Sequence, residues 1–342
     1  MNVIITCAGR RNYLIKYFKA ALGSTGLVYA GDADPTAPAL YEADRGFIMP
    51  SIDDVNYINE LLKLCRANRI QLVVPTTDLE LPLLAEHRDE FLTFGTVPLI
   101  SSETVVNICF DKWRTADFCY RSGVGYPRTF LRLEETRQAV ENGIVSFPLV
   151  VKPRWGSASI GIEFVEDEEE LGIAYQLVNK RIARTVLAKI NVGQLENRVL
   201  IQEALTGQEF GIDVVNDLNG KFCGVFIRKK IAMRAGETDK AETVDEPVLF
   251  KLGQKISEHL KHIGNLDCDI FLSGSRSWLL EMNPRFGGGY PFSHLAGADL
   301  PRAIVAWIKG EKVNLDWLRP KPGVIAAKYY ELKEIGFNTE KS

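Results

Sequence analysis

Two carboxylates and one amide in the last third of the chain have the types and the spacing of an oxygen-rich cation site. Glu281 and Asn283 are two residues apart in a segment that predicts a β-strand, so both side chains point to one face. Asp269 lies in the preceding predicted strand, across a short hairpin, and can face them. Mg²⁺ binds such oxygens and takes further ligands from phosphate. A solvated acidic hairpin is the alternative, but the apolar run 278–280 predicts a buried strand end and favours a metal site.

Arg285 and Lys152 are the two cations best placed to act on a phosphate group. Arg285 follows Asn283 by two residues and would hold a fixed positive charge beside the same phosphates. Lys152 lies inside the apolar segment 150–153, where a buried ammonium group needs an anionic partner. Both residues are therefore candidates for a catalytic role.

A loop rich in glycine and serine follows Lys152. It contains four candidate phosphate contacts, Gly156, Ser157, Ser159 and Gly161. Backbone N–H groups of such a loop can fold over phosphates. The loop is not a Walker loop, because no GK[ST] sequence follows and the continuation 162–165 predicts a strand. We expect a mobile β-hairpin flap, with a simple flexible turn as the alternative.

The segment 201–210 predicts a strand that can pass along the edge of an adenine ring. Its backbone would exchange hydrogen bonds with the ring, and Glu209 would accept both ribose hydroxyls. Taken alone, the segment is more typical of an ordinary hinge between two sheets. The segments 228–230 and 234–238 come next and carry basic residues. They are either contacts for a substrate carboxylate or a solvated basic loop.

Residues 1 to about 105 alternate strand and helix patterns, which predicts a small doubly wound parallel sheet. Ligands of such sheets bind beyond the carboxyl ends of the strands. The loop 7–12 carries two arginines and is either an anion site at a helix N-terminus or an ordinary turn. It lacks the GxGxxG pattern, so a dinucleotide cofactor is not supported. Asp32 and Asp78 also end strands, as turn residues or as substrate contacts.

After residue 105 the pattern changes to helices mixed with antiparallel strands. A single amphipathic helix is predicted over 105–121, and antiparallel strands are predicted at 199–204, 210–215, 222–228, 268–272 and 278–282. The fold class is therefore α/β and α+β, with the parallel sheet at 1–105, a second domain at 106–310 and a C-terminal segment at 311–342 that packs back on the core. Within the second domain we expect a mobile small subdomain at about 126–200 and a metal-bearing one at about 201–310.

Composition restricts the class of protein. The apolar fraction of 46% and the charged fraction of 25% are typical of a soluble enzyme. A net charge of −3 gives no general electrostatic reason to bind nucleic acid, and no apolar run is long enough to cross a membrane. The six cysteines form neither a CxxC pair nor a zinc-spaced cluster, so we expect reduced thiols and a cytoplasmic location.

These segments, in this order, resemble the ATP-grasp superfamily, and in particular the large chain of carbamoyl phosphate synthase. The most specific segment is Leu-Glu-Met-Asn-Pro-Arg at 280–285, supported by Val-Lys-Pro at 151–153 and by the segment 202–209. The resemblance implies a Rossmann-like pre-ATP-grasp domain followed by a two-subdomain ATP-grasp fold. It also implies that ATP binds with one or two Mg²⁺ ions, with Mn²⁺ as a second candidate.

The resemblance assigns a role to each residue that matches the family pattern. The implied contacts are Lys112 and Lys152 to the phosphates, Glu203 and Leu205 to adenine, Glu209 to ribose, Asp269, Glu281 and Asn283 to Mg²⁺, and Arg285 to the transferring phosphoryl group. By position, the candidates for substrate contacts are Asp78, Arg234, Gly236 and Glu237.

The function implied is an ADP-forming ligase that joins a carboxylate to an amine or to ammonia. The carboxylate would attack the γ-phosphate of ATP, and the amine would then displace phosphate from the resulting acyl phosphate. Such phosphoryl transfer depends on positioning and charge neutralisation more than on a covalent protein nucleophile. The expected partners are a small-molecule carboxylate, an amine or ammonia, and a second copy of the chain in a homodimer.

This sequence departs from the synthase in two respects. It contains one ATP-grasp half where the synthase large chain has two, and the segment 286–291, Phe-Gly-Gly-Gly-Tyr-Pro, is more similar to stand-alone ligases. Two alternatives stay open. As alternatives to the ligase, the chain is one half of a split carbamoyl phosphate synthase large chain, or it is a non-catalytic nucleotide-binding subunit.

Overall fold

The parallel sheet predicted for the N-terminal part is present. The computed structural model describes residues 1–156, 161–184 and 197–336. The first five strands are β1 (Asn2–Thr6), β2 (Val28–Asp32), β3 (Arg45–Ile48), β4 (Ile70–Pro75) and β5 (Val97–Pro98). They are parallel and lie in the order β3-β2-β1-β4-β5. The accompanying helices are α1 (Asn12–Leu22), α2 (Pro38–Glu42), α3 (Tyr57–Ala67), α4 (Leu81–Glu86), α5 (Arg88–Leu92) and α6 (Glu103–Phe110).

A second, antiparallel sheet follows in the chain. Its strands are β6 (Thr129–Phe130), β7 (Leu149–Pro153), β8 (Glu163–Val165) and β9 (Val199–Glu203), and the nearby helices are α7 (Lys112–Ser122), α8 (Leu133–Glu141) and α9 (Glu168–Ile182). The order is β6-β9-β7-β8. β9 pairs with β7 along its whole length, from Pro153↔Val199 to Leu149↔Glu203. The sequence pattern groups β9 with the strands after it, but its partners belong to the preceding sheet.

The third sheet carries the predicted metal hairpin. Its strands are β10 (Gln208–Asn216), β11 (Phe222–Arg234), β12 (Glu237–Thr243), β13 (Gly264–Ser273), β14 (Arg276–Asn283) and β15 (Ile325–Ala327). They lie in the order β14-β13-β10-β11-β12-β15. The remaining elements are α10 (Pro247–Leu260), α11 (Tyr290–Leu295), α12 (Leu300–Lys309) and a 3₁₀ turn (Leu315–Leu318). The domain limits at 105 and 310 stay a prediction.

The single helix predicted over 105–121 is wrong, because the chain leaves the helical conformation at Asp111. The backbone of Asp111 is extended, with φ −104° and ψ 106°, and it bridges to Trp155. Its carboxylate accepts two hydrogen bonds of 2.7 Å from Arg154 and caps α7 through the Trp113 N–H. The buried ion pair ties the chain to the second sheet at this point, so Lys112 becomes the first residue of α7.

The N-terminal sheet and the third sheet share a hydrophobic core. α1 packs against α12, and Phe18 of α1 meets Phe286 at 6.2 Å between ring centroids. Phe286 also contacts Tyr290 at 4.8 Å. The segment that follows Asn283 is therefore anchored on the N-terminal domain by buried aromatic side chains.

All six cysteines are free thiols, as expected for a chain without a disulfide framework. Four of them are buried: Cys65, Cys109, Cys119 and Cys268. In the described part of the chain, no helix has the length and the apolar character needed to cross a bilayer.

A buried acid lies under the carboxyl end of the N-terminal sheet. Glu80 is fully buried and accepts hydrogen bonds from Thr6 Oγ1 at 2.8 Å and from Tyr57 Oη at 2.6 Å. Burial raises its pKa to about 7, although both hydroxyl groups act in the opposite direction. The Tyr57 hydroxyl also lies 3.7 Å from Cys7 Sγ. The protonation state of Glu80 therefore changes near neutral pH.

Replacing Glu80 by glutamine is expected to remove a pH dependence of stability. The pKa is 4.5 for the free group and about 7 in the folded chain, so the folded chain binds more protons between these values. The free energy of unfolding of the wild type should then fall by about 2 kcal/mol from pH 5 to pH 7, relative to Glu80→Gln. Urea unfolding at the two pH values measures this. Glu86→Gln, on the exposed part of α4, is the control. Parallel curves for wild type and Glu80→Gln would contradict the assignment.

Candidate active site

The predicted cation-binding hairpin forms, and its register places polar groups opposite one another. β13 pairs with β14 so that Asp269 faces Glu281 and Asp267 faces Asn283. The strands reverse at Gly274, whose φ of 59° is unfavourable for residues with a side chain. The hairpin therefore holds three carboxylates and one amide within two neighbouring rows of side chains.

The orientation of the Asn283 amide bears on whether this hairpin can bind a cation. One of its terminal atoms lies between Glu281 Oε1 and Asp78 Oδ1; as nitrogen, it donates to them over 3.3 and 3.2 Å. In the other amide orientation an oxygen faces the two carboxylates, an arrangement that a divalent cation would stabilise. Within the described ranges, no three acidic, histidine or cysteine side chains form a metal cluster by themselves. The donor set fits Mg²⁺ if the amide oxygen takes part.

Arg285 connects the hairpin with the N-terminal sheet. Its guanidinium group donates to Asp78 Oδ2 at 2.8 Å and to Asp267 Oδ2 at 3.1 Å. Burial alone would lower the pKa of Arg285, but the two carboxylates raise it above its ordinary value. Its Nε is buried and has no hydrogen-bond partner among the residues that the structure describes. Arg285 is therefore permanently charged and fixed in position, and its Nε–H donor is unpaired among the described residues. Asp78, a predicted substrate contact, holds this arginine.

Sequence reasoning only partly identified two buried cations of β11. Lys230 donates to Glu209 Oε1 and to Asp269 Oδ1, both at 2.6 Å, which raises its pKa despite burial. Arg228 is 1% exposed, forms an ion pair with Asp213 and donates to Ser293 Oγ at 2.7 Å. The interpretation of 228–230 as a solvated basic loop is therefore wrong.

Gly211 explains how these cations reach acids on other strands. β10 lies between β11 and β13, and Gly211 is the residue opposite both Arg228 and Asp269. A side chain at Gly211 would come within 3.3 Å of the Arg228 guanidinium and 3.6 Å of Lys230 Cε. The lysine can cross β10 to Asp269 only because this position has no side chain. A glycine in a strand pattern is the signal for such a close approach.

Lys152 faces the hairpin from the second sheet. It is 5% exposed and donates to Gln202 Oε1 at 2.6 Å. Burial lowers its pKa to about 7, with a further decrease from Lys112 and an opposing effect of Glu281. Lys152, Lys112 and Glu281 are therefore close enough to interact electrostatically. No carboxylate pairs with the Lys152 ammonium group in the described part of the chain.

The glycine loop is described only at its ends. Gly156 accepts a hydrogen bond from Lys112 Nζ through its carbonyl oxygen. Gly161 has φ 72°, and β7 pairs with β8 on either side of the loop, as a hairpin requires. Ser157 and Ser159 lie outside the described residues. The loop thus joins two antiparallel strands next to Lys112, and its contact with phosphates stays a prediction.

The predicted adenine strand ends at the boundary between two sheets. Glu203 is the last residue of β9, and its carboxylate accepts from the Arg128 N–H at 3.2 Å. Leu205 is half-buried in the connection to β10. Glu209, the predicted ribose contact, is held by Lys230 instead of pointing freely to solvent. This segment can connect two sheets and also contact a nucleotide. The roles of Glu203, Leu205 and Glu209 stay predictions.

The remaining substrate candidates separate into two groups. Arg234 is the exposed last residue of β11 and stacks over Tyr330 at 5.6 Å, and Gly236 lies in the exposed turn that follows. Glu237 instead borders Gly288, since a side chain there would meet its carboxylate at 3.3 Å. Its pKa is lowered by Lys328, at 2.8 Å, and by Arg11 and Arg285, against the effect of burial. Glu237 therefore lies close enough to Arg285 to interact with it, whereas the exposed turn points away into solvent.

Two family models match this chain, one in each half. Residues 3–100 match the PylC-like N-terminal domain. Residues 196–330 match a family described as ATP-grasp in the biosynthetic pathway with Ter operon. The second match contains all residues of the hairpin and both buried cations of β11.

Curated relatives are similar over most of the chain. A D-alanine–D-alanine ligase of Streptococcus agalactiae is 24% identical over 267 residues, which are 69% of this chain and 71% of the ligase. The carbamoyl phosphate synthase large chain of Campylobacter jejuni is 22% identical over 269 residues, 71% of this chain but only 23% of the synthase. The large synthase therefore has much that this chain does not match.

Solved structures share the fold. The biotin carboxylase domain of Hydrogenobacter thermophilus 2-oxoglutarate carboxylase, solved as a dimer with MgADP and bicarbonate, superimposes with a TM-score of 0.72 at 16% identity, covering 91% of this chain and 70% of that one. N5-carboxyaminoimidazole synthetase of Staphylococcus aureus gives 0.68 at 15% identity, covering 92% and 78%. Together with the family models and the curated ligase, these structures confirm the resemblance found in the sequence: a segment that matches the PylC-like N-terminal domain precedes one that matches an ATP-grasp family, and the relatives indicate an ADP-forming ligase.

Proposed function

We propose that this protein is an ATP- and Mg²⁺-dependent ligase that joins a small-molecule carboxylate to an amine through an acyl phosphate. The observation that carries the proposal is the arrangement of charge between Lys152 of the second sheet and the metal hairpin of the third sheet. Lys152 and Lys112 approach from one side, and Glu281 with Asn283 and Arg285 from the other. Cations that face oxygen donors suit a nucleotide triphosphate with its metal between them.

The buried cations provide a binding site for phosphate oxygens. Lys152 is desolvated, and among the described residues its partner is an amide oxygen, so a phosphate group would give its ammonium form a counter-charge that none of these residues supplies. Lys112 begins α7, and its ammonium group lies at the edge of the glycine loop. In this proposal the two lysines hold the phosphates of ATP, and Glu203, Leu205 and Glu209 contact the nucleoside.

Asp269, Glu281 and the amide oxygen of Asn283 would hold Mg²⁺. The ion would neutralise phosphate charge when bound. Lys230 holds Asp269 at 2.6 Å, which fixes the orientation of this carboxylate. Metal titration of the purified protein would measure whether one or two ions bind and whether Mn²⁺ can replace Mg²⁺.

The chemistry proceeds in two steps on the substrates. A carboxylate oxygen of the acid attacks the γ-phosphorus of ATP, the bond to the β-phosphate oxygen breaks, and ADP leaves. The amine nitrogen then attacks the acyl carbon, inorganic phosphate leaves, and the nitrogen loses a proton to form the amide. Arg285, fixed by Asp78 and Asp267 and with Nε free, is the residue we assign to the charge on the transferring phosphoryl group.

The experiment that tests this function combines ATP and Mg²⁺ with panels of carboxylic acids and amines and measures phosphate release. We expect release only with particular acids, and it should persist when hydroxylamine replaces the amine. Hydroxylamine attacks an acyl phosphate to give a hydroxamate and phosphate, which ferric chloride detects. A hydroxamate that forms with ATP but not with ADP is the predicted result.

Two results would replace the proposal. If bicarbonate alone stimulates phosphate release, and carbamoyl phosphate forms with ammonia and a partner chain, the protein is one half of a split carbamoyl phosphate synthase. ATP binding by calorimetry without turnover for any acid would identify a nucleotide-binding subunit. A cytoplasmic location and a homodimer are also part of the proposal. Sedimentation of the purified protein tests the homodimer.

A further inference from the structure

A large cavity lies at the carboxyl ends of β1, β2, β3 and β4. Its volume is about 1040 Å³. The lining residues used below are Arg11, Asp32, Asp54, Tyr57, Thr77 and Leu79. Cavities of this position and size in parallel α/β sheets usually hold a small organic ligand. The nucleotide chemistry proposed above uses none of these residues.

One wall of this cavity is also a wall of the reaction centre. In the loop after β4, Thr77 and Leu79 face the cavity. Between them, Asp78 binds Arg285 at 2.8 Å and lies 3.2 Å from the Asn283 amide. A molecule in the cavity is therefore separated from the phosphoryl-transfer residues by the thickness of one loop. This proximity connects the cavity with the ligase reaction.

Charge in the cavity is arranged with opposite signs at two places. Arg11 is close enough to Glu237 to lower its pKa, which places Arg11 on the side of the reaction centre. Asp32 ends β2, and Asp54 lies in the loop before α3. Both carboxylates accept hydrogen bonds from backbone N–H groups, and neither forms an ion pair within the described residues. The part of the cavity around Asp32 is therefore negative and lacks a counter-charge.

The distance between these two places limits the ligand. β2 and β4 lie on opposite sides of β1, so their carboxyl ends are about 10 Å apart at the usual strand spacing. A cation held at Asp32 is too far from the loop after β4 to be the reacting group itself. The ligand would need a second group that extends towards Asp78. Ammonia occupies roughly the volume of one water, about 30 Å³, and would leave the cavity almost empty.

We propose that this cavity binds the amine substrate of the ligase, and that this substrate is an organic amine with a second, cationic group held by Asp32 and Asp54. The proposal rests on the proposed function for the role of the bound molecule, but binding itself does not require turnover. It selects an organic amine over ammonia as the acyl acceptor. Tyr57, fixed by Glu80 at 2.6 Å, supplies a rigid aromatic wall for the aliphatic part.

Three probes with four carbon atoms each test the charge preference. We would titrate the wild-type protein by calorimetry with 1,4-diaminobutane, butylamine and 4-aminobutanoate, which end in a cation, a methyl group and an anion. The diamine is expected to bind about tenfold or more tightly than butylamine, because its two ammonium groups can form two charge-assisted contacts, whereas butylamine has one ammonium group and can form only one. 4-Aminobutanoate should bind most weakly. Binding of 4-aminobutanoate that matches or exceeds that of the diamine would overturn the proposal.

Variants locate the contact. Asp32→Asn should abolish the difference between diamine and butylamine, whereas Asp117→Asn, on the exposed face of α7, should leave it unchanged. Circular dichroism and the binding of ATP by Asp32→Asn show whether the variant is folded. If the folded variant keeps the wild-type preference for the diamine, the diamine binds elsewhere and the inference is wrong.

The same measurements separate this inference from the proposed function. If ammonia supports full ATP turnover with an acid and none of the three probes binds, the ligase function stands and the cavity assignment fails. If the diamine binds and Asp32→Asn loses it, while no acid gives a hydroxamate, the cavity assignment stands and the ligase function fails.

Discussion

Lys152→Met is expected to lower ATP turnover by about 10²- to 10³-fold, the loss found when one fixed donor to a developing charge is removed. Methionine keeps the length and the apolar stem of the side chain and removes only the charge. Lys152 is buried with an amide oxygen as its partner, and no carboxylate in the described ranges acts as its counter-ion. A coupled assay for ADP measures the rate. Lys180→Met, on the exposed side of α9, is the matched control and should turn over at the wild-type rate.

The same substitution should make the protein more stable. Burial lowers the lysine pKa from 10.5 to about 7, so the unfolded chain binds more protons between these values and wild-type stability rises with pH across this range. At pH 8 the folded chain still bears a cost of about 3 kcal/mol, offset by about 1–2 kcal/mol from the Gln202 hydrogen bond. We expect Lys152→Met to gain about 1–2 kcal/mol in urea unfolding at pH 8. Lower stability together with lower activity would indicate a structural role instead.

Binding of ATP should report the Lys152 charge directly. At pH 8 most of the free protein has a neutral Lys152, because its pKa is about 7. A phosphate group beside it favours the ammonium form, so ATP binding should take up a proton. Calorimetry in two buffers with different ionisation enthalpies measures this uptake. Lys152→Met should lose it, and equal uptake in the variant would assign the proton to another group.

The metal hairpin is predictable from sequence because its information is local. Two strands with a two-residue connection bring Asp269 opposite Glu281, and the period of two places Asn283 on the same face as Glu281. The N-terminal parallel sheet is predictable for a similar reason, since its strand and helix patterns alternate over short distances. In both cases no contact with a distant segment is needed to decide the structure.

The contacts of Lys230 and Arg285 beside the hairpin involve distant segments of the chain, so the local sequence pattern does not predict them. Lys230 reaches Asp269 across β10, and only the pairing of three strands shows that Gly211 leaves room for it. Arg285 is recognised as a phosphate-binding candidate, but its partner Asp78 is 207 residues away in another domain. The break at Asp111 likewise depends on an ion pair with Arg154. Amphipathic spacing alone cannot reveal such a break.

Removal of Arg228 is the change with the largest expected effect on stability. Arg228 is 1% exposed and pairs with Asp213, which is fully buried, and Asp267 Oδ1 lies 3.5 Å from its guanidinium group. Gly289 packs against the same guanidinium group, since a side chain there would approach it to 2.9 Å. Arg228→Met therefore leaves Asp213 buried with its charge uncompensated. Breaking such a pair costs about 3–5 kcal/mol.

The loss should appear as a lower urea midpoint with little change in the slope of the transition. Arg121→Met removes an ion pair with Asp117 in which both side chains are exposed, and it should cost less than about 1 kcal/mol. The double variant Arg228→Met with Asp213→Leu should recover much of the lost stability, because it removes the stranded charge as well. If the double variant is no more stable than Arg228→Met alone, packing of the arginine and not its charge holds this part of the sheet. Arg228 and Arg285 both contact Asp267. The double variant should therefore also show whether the position of Arg285 depends on the ion pair between Arg228 and Asp213.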